Sequence, residues 1–390
     1  LYRPDDGTEL ITVAALRVIS PGPLSTVQDL GRPGYQRFGV SVSGAADRYA
    51  LRLGNLLVGN DQRGAAIEVT IGGAEFEFTE DSIFAITGAD LSPALNRASI
   101  PLWETLNAVA GDHLSLPSPV GPDAGLRAYV IVSGGIDTPQ ALGSRSTHVG
   151  AQLGGVDGRA LSLDDEVPIG PLTDPVTPGR RVPEDMIPRY GGEIVARVVP
   201  GPQDDKFDQD AVNIFYGSTF TVSDKSDRMG CRLEGPEVPA TDAAHDIVSD
   251  GVVTGAIQIP GDGQPIILLA DRQTTGGYVK IGVIASVDLA LVAQASPGAR
   301  LRFEQITVED ASELARDRMA ALRNMIFDTL DARSGDTRSV GSDGERWQYD
   351  IRIGGANYQV DVDADALEGH STAVVNGIEY NIQVVPGESF

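Results

Sequence analysis

Gln264-Pro265-Ile266-Ile267-Leu268-Leu269-Ala270-Asp271-Arg272-Gln273-Thr274-Thr275-Gly276-Gly277-Tyr278-Val279-Lys280 sets an apolar run directly against a polar cluster and two glycines. A short run of branched side chains, bounded by proline before it and turn residues after it, reads as a buried strand. The polar stretch is richer than a turn requires, because Asp, Arg, Gln, two Thr, Tyr and Lys fall within ten positions. At a strand end such a cluster offers carboxylate-binding cations, amide donors, hydroxyls and a phenol to whatever it faces. This segment is therefore read as a site.

The same pattern of short runs recurs in both directions. Residues 76–78, 82–87, 126–133, 194–199, 219–223, 255–259, 265–269 and 299–303 alternate or stay apolar, and glycine or proline bounds most of them. With Gly 46 and Pro 24 punctuating the chain, and no regular alternation of strand and helix, the expected fold is mainly β with few helices. One helix is expected over residues 45–57, capped by Ser43, with Ala50, Leu53, Leu56 and Leu57 on one face. A second is expected over 307–330, introduced by the capping signal Thr307 to Asp310 and carrying Leu314, Met319, Leu322, Ile326 and Leu330 at helical spacing. Residues 172–189, rich in Pro and Thr, divide a β-rich half at 16–172 from another at 190–306. Residues 331–345 read as a polar tether to a small module at 346–390 made of two hairpins, the second turning at Asn376-Gly377.

The 390 residues exceed one ordinary core, and a hydrophobic fraction of 41% is that of a soluble protein. A net charge of −25 repels nucleic acid and anionic membrane surfaces, so neither is an expected partner. The single cysteine, Cys231, precludes an internal disulfide and reads as a buried thiol; the four scattered histidines show no metal-ligand spacing. His148 and His245 read as structural. No run reaches membrane-span length and the first residues lack signal-peptide character, so the cytoplasm is the expected compartment. A start at Leu1 rather than Met is read as a processed or excised chain.

Further polar motifs lie along the chain. Ser25-Thr26-Val27-Gln28-Asp29-Leu30-Gly31-Arg32 and Ser43-Gly44-Ala45-Ala46-Asp47 place Gln28 and Asp47 near a loop-to-helix junction, as turn chemistry with an N-cap or as part of a site. Pro200-Gly201-Pro202-Gln203 and Ser226-Asp227-Arg228-Met229-Gly230 come next; Asp227 and Arg228 either pair with each other or serve a site. Ile247-Val248-Ser249-Asp250-Gly251 then leads into Gly255-Ala256-Ile257-Gln258-Ile259-Pro260. Taken in order with Leu57 to Asn60, Val132 to Gly135, Gly143-Ser144-Arg145-Ser146-Thr147 and the segment quoted first, these motifs resemble the allophanate hydrolase subunit 2 family of biotin-dependent carboxyltransferases. The resemblance covers about residues 16–303, with Ala46 where the family usually has Met and Asp246 where Glu is common.

That resemblance implies two cyclophilin-like, β-barrel-type halves and a sister subunit or domain, allophanate hydrolase subunit 1 (KipI-like). It also implies a biotin carrier and an ATP-dependent biotin carboxylase as partners, and a small urea-like acceptor. Two alternatives belong to the same family: the C subunit of an ATP-dependent 5-oxoprolinase, and a KipA-type regulator without catalytic activity. Tyr349 to Val362 is similar to the segment that precedes biotin-carrier domains. The chain has only Lys206, Lys225 and Lys280, none in a biotinylation sequence, so biotin would ride on another chain or on a portion downstream. From side-chain chemistry, Gln258 and Gln273 suit ureido or acceptor hydrogen bonds, and Arg272 and Lys280 suit carboxylate binding. Tyr278 or Asp271 suits proton transfer, Thr274 and Thr275 suit substrate orientation, and Ser249, Arg228, Gln28 and Asp47 complete the candidate binding set. No metal is expected.

Overall fold

A computed structural model describes residues 14–121, 123–172, 176, 178–241, 245–331, 340–343, 346–353, 356–363, 369–375 and 378–384, with side chains as far as residue 323. The chain is mainly β and divides into a unit ending at Leu322 and another beginning at Arg323.

The first half of the larger unit has strands β1 (Ala15–Pro21), β2 (Leu24–Gln28), β3 (Ala66–Thr70), β4 (Ala74–Phe78), β5 (Ser82–Gly88) and β6 (Ala94–Leu95). It continues with β7 (Ala98–Ser99), β8 (Thr105–Ala108), β9 (His113–Leu116), β10 (Arg127–Val132) and β11 (Glu166–Pro168). They form two sheets, ordered β11-β1-β4-β9-β6-β7 and β2-β3-β10-β5-β8. Alternation decides which side chains go inward: in Ala74–Phe78 the two phenylalanines are buried while Glu75 and Glu77 are half-exposed. Phe76, Phe78, Phe84, Ile86, Leu114 and Val130 share one core between the sheets. Helix α1 (Arg48–Leu57), with Leu51 and Leu53 buried, packs on β5 and β10 through its Gly54 side, where a β-carbon would fall 1.9 Å from Ile131 Cδ1.

The second half comprises β12 (Glu193–Pro200), β13 (Phe220–Val222), β14 (Gly230–Glu234), β15 (Asp246–Gly251), β16 (Ala256–Ile259), β17 (Ile266–Leu268), β18 (Thr275–Ile284) and β19 (Arg300–Gln305). Seven of these close into a barrel, β12-β19-β13-β14-β17-β16-β18 and back to β12, while β15 pairs only along the start of β18. A ring with an odd number of strands cannot be antiparallel throughout, and β12–β19 is the parallel pair. Helix α2 (Gln209–Gly217) covers one side through Ala211 and Phe215, whose ring stacks on Phe303 at 4.2 Å. Each such buried phenyl contributes about 1.5–3 kcal/mol. Cys231 lies inside this core, and burial pushes its thiol up to about 11, as expected of an inert residue.

A short helix, α3 (Leu289–Ala293), pins barrel to sheets. Gln294, just past its end, accepts from the backbone N–H groups of Leu126 and Arg127 at 2.9 and 2.8 Å, and donates to Arg127 O and Asp47. The segment after 178 continues this attachment: Val182 N donates to Trp103 O at 3.0 Å, and the Tyr190 hydroxyl donates to Asp47 Oδ2 at 2.7 Å. The dividing segment is thus strapped onto the first half.

Helix α4 (Val308–Asp331) begins with the expected reciprocal cap, in which Thr307 Oγ1 accepts from Asp310 N at 3.1 Å and Asp310 accepts from Thr307 N at 3.4 Å. The smaller unit is an antiparallel meander of β20 (Val340–Asp343), β21 (Arg346–Ile353), β22 (Ala356–Asp363), β23 (Gly369–Val375) and β24 (Ile378–Val384). Val340–Asp343 lies within the stretch read as a tether; it pairs with β21 and adds a strand to the two hairpins. The Asn376-Gly377 turn lies outside the described residues. No helix among the described residues is long and apolar enough to cross a membrane.

Candidate functional site

The motifs quoted from distant parts of the sequence meet where sheets and barrel touch. Gly31 and Gly44, at φ 86 and 94, let two loops lie back to back, since a β-carbon on Gly31 would fall 2.6 Å from Val42 O. Asp29 holds the 143–147 loop, accepting from Ser144 Oγ and Arg145 N, each at 2.6 Å, and from Ser146 Oγ. Gln28 donates to Thr26 Oγ1 and Thr147 O, both at 3.0 Å, so it braces the same loop.

Ser43 does not cap α1. The helix starts at Arg48 with Asp47 as its cap, accepting from Tyr49 N and Ala50 N. Ser43 sits in the left-handed region at φ 55, and its hydroxyl reaches Asp271 Oδ1 at 2.7 Å and Thr147 O at 3.0 Å. That long-range contact outcompetes the local cap, and the three residues between are left as a turn.

Arg228 is the centre of the junction. It donates to Asp271 Oδ2 at 2.8 Å, to Asp271 Oδ1 at 3.1 Å, to Gly44 O at 2.7 Å and to Glu68 Oε1. Its sequence neighbour Asp227 takes no part and instead accepts from Met229 N and Gly230 N. Burial opposes the Arg228 charge, but Asp271 and Glu68 more than restore it and raise the group above its ordinary value. Burial likewise pushes the Asp271 carboxyl up; the Arg228 charge and the hydrogen bonds from Arg228 and Ser43 outweigh it and hold the group below the usual range. With both oxygens engaged and its basicity lowered, Asp271 suits positioning the loop better than accepting a proton. Glu68 and Tyr129 extend the network, since the Tyr129 hydroxyl donates to Glu68 Oε2 at 2.8 Å and accepts from Asp47 N at 2.8 Å. Desolvation, then Glu68 and Asp47, keep that phenol protonated.

Beside this knot a crevice of about 540 Å³ opens between the halves, lined by Ser41, His148 and Val149 on one side and by Met229, Arg272 and Gln273 on the other. Arg272 is 2% exposed, and its Nε and Nη1 have no hydrogen-bond partner. Burial, then the charge of Arg48, lower its affinity for its proton, so an anion in the crevice would relieve both penalties. His148 accepts from Ala151 N through Nδ1 at 2.9 Å, which leaves a neutral ring its proton on Nε2.

The second cluster stands on β16 and β18. Ile257, Ile259, Val279 and Ile281 point into the barrel core, so Gln258 and Lys280, paired across the strands, face outward. A bulge between Ile257 and Gln258 sets that register. Both side chains are nearly inaccessible, at 2% and 3%, yet Gln258 Nε2 and Lys280 Nζ have no hydrogen-bond partner. Lys280 Nζ lies 3.6 Å from Asp250, itself opposite Gly276, and a β-carbon on Gly276 would fall 2.4 Å from Gln258 Nε2. Tyr278, Thr275 and Ser249 are exposed along the β15–β18 edge, and Thr274 O accepts from Val252 N at 3.1 Å.

The structure thus gathers Asp271, Arg272, Gln273 and Arg228 at the crevice, and Gln258, Lys280, Tyr278, Thr275 and Ser249 on the barrel. Gln28 and Asp47 brace loops and a helix. Glu68, Tyr129 and Tyr190 were not foreseen; a charged residue inside the apolar stretch Ala66–Thr70 was the signal for Glu68.

The site is thus a domain of two β halves joined through a buried ion-pair knot, with buried donors that lack hydrogen-bond partners. Residues 38–305 match the model of the carboxyltransferase domain, subdomain A and B, and the chain belongs to that family. It is 38% identical to the 5-oxoprolinase C subunit of Escherichia coli strain K12, over 77% of this chain and 94% of that protein. It is 34% identical to the urea amidolyase of Lachancea kluyveri, over 80% of this chain but 18% of the much longer relative. The crystal structure of Kluyveromyces lactis urea carboxylase superposes with a TM-score of 0.75 at 28% identity, covering 90% of this chain and 34% of that one.

Proposed function

We propose that the chain is the carboxyltransferase component of a biotin-dependent carboxylase, moving a carboxyl group from carboxybiotin on a partner's carrier to a small urea-like acceptor. The observation that carries this reading is a group of buried donors without a hydrogen-bond partner on the 258–280 segment: Lys280 Nζ, Gln258 Nε2, and Nε and Nη1 of Arg272. Such groups are costly to bury unless an acceptor-rich ligand satisfies them, and a ureido oxygen and a carboxylate are that kind of ligand. Carboxybiotin supplies an activated carboxyl group when bound. Lys280 and Gln258 hold the carboxylate and ureido oxygen, and Arg272 and Gln273 orient the acceptor in the crevice. Asp271, fixed by Arg228 and Ser43, keeps that loop in place, and Tyr278 or the Nε2–H of His148 exchanges the proton. The likeness to urea carboxylase supports the biotin reading, because it covers more of the chain than the two β halves contain.

The test is reconstitution with a biotin carboxylase and carrier from the same cell. ATP- and bicarbonate-dependent carboxylation of urea or a related amide, abolished by avidin, is the expected result. Turnover indifferent to avidin and free of any biotinylated partner would sink the reading. The likeness to the E. coli protein supports a second one, a 5-oxoprolinase component, which ATP-dependent release of glutamate from 5-oxoproline would establish.

Gly276→Ala should isolate the role of Gln258. The added methyl meets Gln258 Nε2 at 2.4 Å and Val252 Cγ1 at 3.2 Å, so the amide must swing away. Carboxylation should fall about tenfold, the loss of roughly one hydrogen bond. In a Gln258→Ala background the same change should cost almost nothing further, because the two act through one group. Independent, additive losses would show that Gly276 matters for another reason.

A further inference from the structure

A second cavity, of about 230 Å³, lies among α1, α3 and α4. Its walls are apolar: Leu289 and Ala290 come from α3, Met319 and Leu322 from α4, and Leu269 and Ala270 from the strand end that leads into Asp271. Three arginines share its lining, Arg48 and Arg52 of α1 and Arg318 of α4. Acidic residues outnumber basic ones 55 to 30 in this chain, yet among the described residues no Asp or Glu lines the cavity.

The arginines are held by neutral partners. Arg48 donates to Ser43 O at 3.4 Å, Arg52 to Gln62 Oε1 at 2.9 Å, and Arg318 to Val287 O while lying 4.7 Å over the Tyr49 ring. Among the described residues none of the three has a carboxylate within salt-bridge distance. The positive charge of Arg52 beside Arg48 disfavours a second guanidinium there, and an anion bound between them would offset it. Ala46, where the family usually has Met, is part of the lining, so a short side chain stands where a long one would reduce the room.

We propose that this cavity is a binding site for a small organic acid, its apolar body held between α3 and α4 and its carboxylate turned to Arg48, Arg52 and Arg318. The site is separate from the crevice and from the β16–β18 donors. Because Ala46 and Ala270 directly precede Asp47 and Asp271, an occupant would press on the junction that organises both clusters.

Benzoate, with benzamide as its uncharged isostere, tests the proposal by calorimetry and thermal shift on the purified full-length chain. Benzoate should bind saturably at one site and raise Tm with concentration, while benzamide should not. Arg52→Gln should weaken benzoate at least about fivefold, as expected for one charge-assisted contact. Ala315→Leu, on the α4 wall, should remove binding by filling the space; circular dichroism checks that it folds, and Arg52→Gln, with its partly exposed side chain, keeps the test open if it does not. No saturable benzoate binding, or affinity unchanged in the folded variants, would overturn the proposal. Neither readout involves turnover, so the outcome is independent of the carboxyl-transfer reading.

Discussion

Arg228→Met should be the most destabilising single substitution at the junction, lowering stability by about 3–5 kcal/mol. The side chain it removes is almost fully buried and neutralises two carboxylates from different halves, Asp271 and Glu68. Methionine fills much of the volume, so the loss reports stranded charge and not a void. A pH series separates this from general damage. In the wild type the Asp271 carboxyl is held below its usual range, so its contribution is fully present above the unfolded value, near 4, and disappears as pH falls through the folded one. In the variant, burial acts on the same carboxyl against the Ser43 hydrogen bond and the more distant His148 alone, with the dominant Arg228 charge gone, and raises it, which reverses the sign. The urea midpoint of Arg228→Met should therefore lie furthest below wild type at neutral pH, with the gap closing toward pH about 4 as the carboxylates protonate. A gap independent of pH would show that Arg228 acts by packing. As a control, removing Arg300 from its exposed pair with Glu193 should leave the midpoint unchanged.

Lys280→Met should have the largest effect on activity with no loss of stability. Its ammonium is buried, lacks a hydrogen-bond partner, and has Asp250 at 3.6 Å, more than half exposed, as its acidic neighbour. A buried cation so poorly compensated is a burden on the fold, and an unbranched apolar side chain of similar length removes it. Tm should stay level or rise, while carboxylation by the reconstituted enzyme should fall about 100-fold or more, as for loss of a preorganised group that stabilises charge. Retained turnover in a well-folded Lys280→Met protein would take Lys280 out of the carboxylate-binding role. Lys280→Arg is the informative companion: it keeps the charge but needs more room, so partial activity there points to electrostatics.

The two predictions differ in how far the sequence anticipates them. Lys280 was legible because it comes after an apolar strand and two glycines at a spacing that places it on the strand's polar face. Its pairing with Gln258 was not, since a bulge between Ile257 and Gln258 sets the register. Arg228 was visible only as a charged residue in a tight motif, with Asp227 the nearest candidate partner. Its actual partners lie 43 and 160 residues away, Asp271 and Glu68, and no local signal points across such separations. Ser43 shows the same conflict from the other side: as a helix cap it was a sound local choice, and Asp47 took that place because Ser43 is held by Asp271.

The sequence by itself determined the mainly β class, about half of the strand positions, the long helix with its Thr307 cap, and the strand end that carries Asp271 to Lys280. These rest on local physics: a period of two for strands, capping chemistry for helices, and glycine where two backbones must touch. Only the tertiary structure decided that the barrel closes through β12, that the distant polar motifs meet around Arg228, and that both oxygens of Asp271 are engaged by Arg228 and Ser43. Those outcomes depend on pairings between residues far apart in the chain, where burial makes a charge costly until its partner arrives from another element.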